Sequence, residues 1–369
     1  MLYSLAENLK NVWGPFRLLQ SHVLLLAGGT FTAAVLVALI MPRFWHLLPC
    51  DRGKAICKDL GGMKSAGKPT GAGLIVTLVC LPVVILFAPL GVWDLLTVFI
   101  LYFAMLFGFM DDCAQTPWGE LKKGLLDAAV SLAIAEFLFV GHSEPHGVGG
   151  SWAIALWLPF VKTIWYAPWY WYVPIAAFIL WFTMNAMNCS DGVDGLAGTL
   201  TLIMMVMLAV VLYVVVGYVP VARYFLIPSN PAAAGWAIVV MTVAGGFGGY
   251  LWFNAEPSRI LMGDAGSRFL GVLIATASLM TGNLLFVLAL APVVLVNGGG
   301  GLGKLVLLRL AKKVGFDIGE ENLIRRIRFP LHDHCKKNLG WSNAQVLMRF
   351  VLLQLVIMPI LLLILLKVR

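Results

Sequence analysis

"VPIAAFILWFTMNAMNCSDGVDGLAGTLTLIMMVMLAVVLYVVVGYV", Val173 to Val219, holds two long apolar runs with a short polar break between them. Each run approaches the roughly 20 residues that a helix needs to cross the hydrocarbon of a bilayer. The break carries Asp191, Asp194 and three glycines up to Gly198. Carboxylates are expensive in the bilayer core. The stretch therefore reads as two spanning helices joined at a membrane face, and this reading extends to the whole chain. Of its 369 residues 60% are hydrophobic and 12% charged, whereas a soluble domain carries about 25% charged residues. The composition excludes a soluble core and implies an all-α polytopic membrane protein, read as one integral-membrane domain over 1–369.

Hydropathy predicts ten spans: 21–42, 72–92, 94–110, 125–141, 171–187, 197–217, 235–253, 267–283, 285–308 and 346–367. The first run lacks a small-residue cleavage site and reads as a retained span. The stretch 151–170 is rich in Trp and Tyr and broken by Pro159 and Pro168. It reads as interfacial, because aromatic rings favour the headgroup level. The six cysteines, at 50, 57, 80, 113, 189 and 335, show no CxxC pair. A disulfide framework or a structural zinc is not expected.

Ten spans place alternate loops on one side. One side receives 43–71, 111–124, 188–196, 254–266 and 309–345. Those loops hold Arg43, Arg52, Lys54, Lys58, Lys64, Lys68, Lys122, Lys123, Arg259, Arg309, Lys312, Lys313, Arg325, Arg326, Arg328, Lys336 and Lys337. The internal loops of the other side hold only Lys162 and Arg223. The positive-inside rule puts the first set in the cytoplasm and both termini outside. It also accounts for the net charge of +8 without invoking nucleic acid.

Four polar constellations fall on the cytoplasmic side. "GFMDDCAQ" (108–115) ends a span with Asp111 and Asp112. Acidic groups there oppose the helix macrodipole, which makes a purely structural role a poor choice. "NAMNCSDGVDGLAG" (185–198) spaces Asn185 and Asn188, and Asp191 and Asp194, three apart; residues so spaced share a helical face. Either Asp could instead cap the next span. "NAEPSRILMGDAGSRFLG" (254–271) sets Asp264 between glycines directly before a span. There it is a helix cap, or a carboxylate metal ligand beside backbone N–H groups suited to phosphate. "RIRFPLHDHCKKNLGW" (326–341) places His332 and His334 around Asp333 among cations, which suits an anion-binding loop better than zinc. Hard oxygen ligands without a thiolate cluster favour Mg²⁺. Together these features suit phosphoryl chemistry on a diphosphate at an active site on cytoplasmic loops. An ion-coupled transporter fits less well. Its charges belong near the midplane, often in two related halves, and no such repeat stands out.

The motifs resemble, in order and nearly end to end, those of the polyprenyl-phosphate N-acetylhexosamine-1-phosphate transferases (glycosyltransferase family 4 type). The match rests on "MLYSLAENL", "FGFMDDC", "NAMNCSDGVDGLAG", "LWFNAEPSRILMGDAGS", "PLHDH" with "LGW" and "RF", and "LKVR". The resemblance implies ten spans, external termini, a Mg²⁺ site on the cytoplasmic face of the bacterial inner membrane, and no nucleic-acid partner. It implies transfer of phospho-MurNAc-pentapeptide from UDP-MurNAc-pentapeptide to undecaprenyl phosphate, giving lipid I and UMP. A sister reaction with another HexNAc-1-phosphate, for example GlcNAc-1-phosphate, is the alternative, and a homodimer stays open. Carried over by motif, Asp111 and Asp112 are the catalytic pair, with Asp111 the one that deprotonates or orients the lipid phosphate. Asp264 is the Mg²⁺ ligand. Asn188, Asp191 and Asp194 line the nucleotide and diphosphate pocket, Asn254 lies on the nucleoside side, and His332 and His334 lie near the sugar-phosphate.

The chain departs from the family pattern at several positions. The centre of the His triplet is Asp333, "GTPTMGG" reads "GKPTGAG" over 67–73, and Ser65 and Gln115 replace lysines. Lys64 and Lys68 stand beside Ser65 to take its role in binding. The basic residue at the start of the fourth span has shifted, leaving Lys122 and Lys123 nearby, and Leu261 replaces a uracil-stacking aromatic.

Overall fold

The computed structural model describes residues 1–11, 14–52, 65–146, 150–314 and 326–367. Lys54, Cys57, Lys58, Lys64, Arg325 and the last two residues of "LKVR" lie outside the described residues. The chain is mostly helical: α1 Leu2–Leu9, α2 His22–Phe44, α3 Ala72–Phe87, α4 Val92–Cys113, α5 Glu120–His142, α6 Trp169–Ser190, α7 Leu196–Val210 with a π turn Val211–Val216, α8 Val219–Tyr224, α9 Ala232–Asn254, α10 Gly263–Leu279, α11 Phe286–Leu290, α12 Pro292–Val294, a π turn Leu295–Gly299, α13 Gly300–Lys313, α14 Leu331–Asn338 and α15 Asn343–Lys367.

Among the described residues eight helices are long and apolar enough to cross a membrane. This is a polytopic membrane protein. Two of the ten predicted spans coincide with shorter helices, the 16-residue α3 and the 17-residue α10. The reason is visible in α10, where every residue from Ala265 to Leu279 is buried. A helix enclosed by α3, α4, α6, α7 and α9 faces protein rather than lipid, so bilayer thickness does not dictate its length.

Several expectations need correction. The predicted span 285–308 is a broken series, and the membrane-length stretch runs from Pro292 to Lys313. Pro292 has no N–H to continue α11, and the glycines at 298–301 are poor helix formers. Arg309, Lys312 and Lys313 are thus helical rather than in a loop. The stretch 151–170, interfacial by its sequence, holds two short strands. β1 Ala153–Leu156 pairs antiparallel with β2 Trp165–Pro168, Ala153 opposite Pro168. Among the described residues the fold is therefore mostly helical, with a two-stranded hairpin beside the helices. The indole of the buried Trp157 donates to the Thr281 carbonyl at 2.7 Å and ties the hairpin to the end of α10. Phe160 and Trp152 stay exposed.

One continuous core runs from Leu25 to Leu366. Around it, large apolar side chains such as Phe31, Phe103, Phe178 and Leu363 point outward. That pattern suits a surface solvated by lipid rather than water.

Candidate active site

Two glycines bring three helices together. A Cβ at Gly73 of α3 would lie 2.1 Å from the Gly266 nitrogen, and one at Gly108 of α4 would lie 2.4 Å from the Asp264 carbonyl oxygen. Both helices therefore lean directly on the first turn of α10. Helix α4 continues through Cys113, so Asp111 and Asp112 sit in its last turn rather than beyond it.

The two aspartates have different surroundings. Both Asp112 oxygens face α10, Oδ1 accepting the Asp264 N–H at 3.0 Å and Oδ2 the Ala265 N–H at 3.1 Å. A helix N-terminus leaves its first N–H groups without intrahelical partners, and Asp112 supplies two of them from another helix. Asp111 has different partners. Its Oδ1 accepts the Trp118 N–H at 2.8 Å, and its Oδ2 lies 2.6 Å from Lys123 Nζ.

Lys123, a loop cation by the hydropathy boundaries, is the hub. It lies in the first turns of α5 and also stands 3.6 Å from Asp264 Oδ2. Asp264 follows Gly263 at the start of α10 and is not its cap, which is Met262. Its Oδ2 also receives Arg268 Nη2 at 3.3 Å and Asn188 Nδ2 at 3.4 Å. The Ser267 hydroxyl donates to Asn188 Oδ1 at 3.0 Å, which orients that amide. Arg268 in turn pairs with Asp127 of α5 at 2.6 Å, both side chains at most 3% exposed. The sequence motifs place Lys123 only as a cation near the start of the fourth span, and they miss Asp127 and Arg268 altogether. The available signal was charge inside an apolar run: Asp127 falls within the predicted span 125–141 and Arg268 within 267–283.

A second group adjoins the first through backbone pairing. Leu261 N–H donates to the Pro69 carbonyl at 2.8 Å, and Ala72 N–H to the Leu261 carbonyl at 3.1 Å. Beside this pairing Lys68 Nζ lies 3.6 Å from Asp194 Oδ2 and donates to Ser258 Oγ at 2.9 Å. Asp194 also accepts the Ser258 N–H at 3.1 Å. Asp191 and Asp194 lie in the link between α6 and α7, so they do not share a helical face, and the cap position of α7 is Gly195.

Asn254 is buried with its amide engaged at both ends. It accepts the Gly195 N–H at 2.9 Å and donates to the Ile260 carbonyl at 2.8 Å. It ties the two polar links together.

Of the two histidines, His332 joins this group. It is 2% exposed. Its N–H donates to Asn297 Oδ1 at 2.9 Å, and its Nδ1 lies 3.2 Å from the same oxygen. A Cβ at Gly192 would lie 2.2 Å from His332 Nε2, so the imidazole rests on the Asp191–Asp194 link. His334, about 200° away around α14, accepts the Arg328 N–H at 3.2 Å. Asn297, which anchors His332, was not singled out from the sequence.

The donor set fits Mg²⁺. Among the described residues no three His, Cys, Asp or Glu side chains form a complete metal cage. Mg²⁺ is ordinarily held by one or two carboxylates plus substrate phosphates and waters. Asp111 and Asp264 already share one cation, the Lys123 ammonium. Their hard oxygens are suited to that ion.

Comparison with known proteins bears on the same elements. A family model described as glycosyl transferase family 4 matches residues 94–282, which include Asp111, Lys123, Asp194 and Asp264. A phospho-N-acetylmuramoyl-pentapeptide-transferase of Treponema pallidum (strain Nichols) is 40% identical over 354 residues, covering 96% of this chain and 93% of the relative. The chain belongs to the phospho-N-acetylmuramoyl-pentapeptide-transferases of glycosyl transferase family 4. More distant members of the family, from Borreliella afzelii (strain PKo) and Borreliella burgdorferi (strain ZS7), are 29% and 28% identical. Each of those two likenesses covers 92% of this chain and 95% of the relative. The likeness to the Treponema pallidum relative, at 96% of this chain, extends well past residue 282, where the family model ends.

Proposed function

We propose that this transferase moves phospho-MurNAc-pentapeptide from UDP-MurNAc-pentapeptide to undecaprenyl phosphate, releasing UMP and forming lipid I for peptidoglycan. The observation that carries the reading is the near full-length likeness to the Treponema pallidum relative. In the reaction a lipid phosphate oxygen attacks the phosphorus that bears the sugar, and the bond from that phosphorus to the UMP oxygen breaks. Asp111 is assigned to take or orient the lipid phosphate proton, since Asp112 is committed to the α10 backbone. Asp264 is assigned to hold Mg²⁺. The bound ion supplies charge neutralisation on the diphosphate. Lys123 and Arg268 add fixed positive charge beside it, which matters because positioning and electrostatics dominate phosphoryl transfer. Lys68, Asn188, Asp191 and Asp194 are assigned to the nucleotide and diphosphate. His332 and His334 are assigned to the sugar-phosphate, and Asn254 to holding the nucleoside side in shape.

We place both termini outside the bacterial cytoplasmic membrane and these loops in the cytoplasm. Ten crossings include the short α3 and α10, and one membrane domain spans the chain. The lysine and arginine asymmetry of the loops supports this orientation.

Purified protein with Mg²⁺ and undecaprenyl phosphate tests the donor. UMP release with UDP-MurNAc-pentapeptide and not with UDP-GlcNAc is expected. The reverse preference would assign the sister reaction, and release with neither would overturn both. Asp333→His restores the family's triplet at a half-buried position 3.5 Å from His332. Turnover within a few-fold of wild type is expected, and complete loss would give Asp333 a role of its own.

A further inference from the structure

Arg268 is the one charged residue in the fully buried stretch Ala265–Leu279. A buried cation is costly unless it is paired. Its partner Asp127 comes from α5, which reaches α10 across the helices α4 and α6 that pack against both.

The pair is not well built for stability alone. Asp127 Oδ2 and Arg268 Nε are buried with no hydrogen-bond partner among the described residues. A buried ion pair with polar atoms left over is often matched or bettered by apolar residues of similar volume. What the pair does have is an outlet. The second guanidinium nitrogen reaches one turn back along α10 to Asp264 Oδ2 at 3.3 Å. Helical side chains lean toward the helix N-terminus, so the residue four positions after Asp264 is suited to brace it from behind.

The α5 residues repeat this spacing. Lys123 and Asp127 are four apart and share a face, meeting Asp264 and Arg268 respectively. The result is an alternating ladder that runs from Lys123 through Asp264 and Arg268 to Asp127. Its most exposed rung is the half-buried Asp264 carboxylate, and its Asp127 end lies in the protein interior.

We propose that Arg268, anchored by Asp127, is a positioning residue that fixes the Asp264 carboxylate for the divalent cation. The inference rests on the assignment of Asp264 as metal ligand. Mg²⁺ demands near-ideal octahedral geometry, so a ligand held in one orientation binds it better than one free to rotate. In this role Arg268 acts through its contact with Asp264 rather than on the ion itself.

The test uses the full chain purified in detergent. Mn²⁺ binding is read by electron paramagnetic resonance without substrate, and turnover is read separately with Mg²⁺. In the double variant Asp127→Leu with Arg268→Leu both buried charges leave together, so folding and the thermal midpoint are expected to persist. Mn²⁺ affinity and kcat are each expected to fall about 10–100-fold, the usual effect of removing a partner that orients a metal ligand. Arg268→Lys, which keeps the cation and loses the two-pronged fork, is expected to fall between the double variant and wild type. Wild-type Mn²⁺ affinity and turnover in the double variant would make the pair mere packing and overturn the proposal. If the double variant does not fold, the same result in Arg268→Lys overturns it. Asp264→Asn separates the two assignments. If it loses Mn²⁺ while the charge-pair variants do not, only the positioning role falls. If it binds Mn²⁺ as wild type does, the metal assignment falls and takes the positioning role with it.

Discussion

Asp264→Asn is expected to stop turnover, by roughly a thousandfold or more, while leaving the protein folded. The substitution keeps the size of the side chain and removes one negative charge. The two cations around it keep other partners, since Lys123 stays 2.6 Å from Asp111 and Arg268 stays 2.6 Å from Asp127. Neither becomes an isolated buried charge, so the usual cause of collapse after breaking a buried pair does not apply. What is lost is the carboxylate that, among the described residues, alone meets Lys123, Arg268 and Asn188 together. Losses of 10²–10³ follow removal of even one neutral donor from a preorganised electrostatic site, and loss of a metal-binding charge exceeds that. The check is UMP release by purified variant and wild type, alongside thermal unfolding in detergent. Near-normal turnover would show that the metal assignment is wrong.

The neighbouring aspartates are expected to fail in different ways. Asp112→Ala strands the Asp264 and Ala265 N–H groups that it now satisfies. Each donor left unpaired costs about 1–3 kcal/mol where it is shielded from water, and the first turn of α10 carries Asp264 with it. Both stability and turnover should drop. Asp111→Asn keeps an oxygen for the Trp118 N–H, loses the charge facing Lys123, and should unfold at the wild-type temperature. Its turnover should fall about 10²–10⁴-fold, the range for a lost general base. Thermal unfolding of both variants distinguishes the roles. A stable Asp112→Ala with wild-type activity would contradict the division of labour within the pair.

The apolar runs made the spanning helices legible, because hydrocarbon thickness sets a length that composition must meet. They did not mark where the helices stop. Helix α4 ends at Cys113 rather than 110, and α5 begins at Glu120 rather than 125. The backbone stays helical into polar residues once the bilayer core is passed. Those extra turns carry Asp111, Asp112 and Lys123, so the hydropathy boundaries cut through the site. The Asp112 clamp depends on α4 meeting α10, residues 152 positions apart, and no local spacing reports such a meeting. Asp127 and Arg268 were absorbed into spans by the same averaging that found the spans. Asn254 carried a motif, yet only the structure reveals that its amide is spent on Gly195 and Ile260.

The most direct measurement of the central claim is a mass balance on the purified protein. It receives Mg²⁺, undecaprenyl phosphate and UDP-MurNAc-pentapeptide. UMP and the lipid product are then quantified together by mass spectrometry. The account predicts one UMP per lipid I, with neither formed when the lipid phosphate is omitted. UMP formed without the lipid acceptor, or a lipid product lacking the MurNAc-pentapeptide, would contradict it.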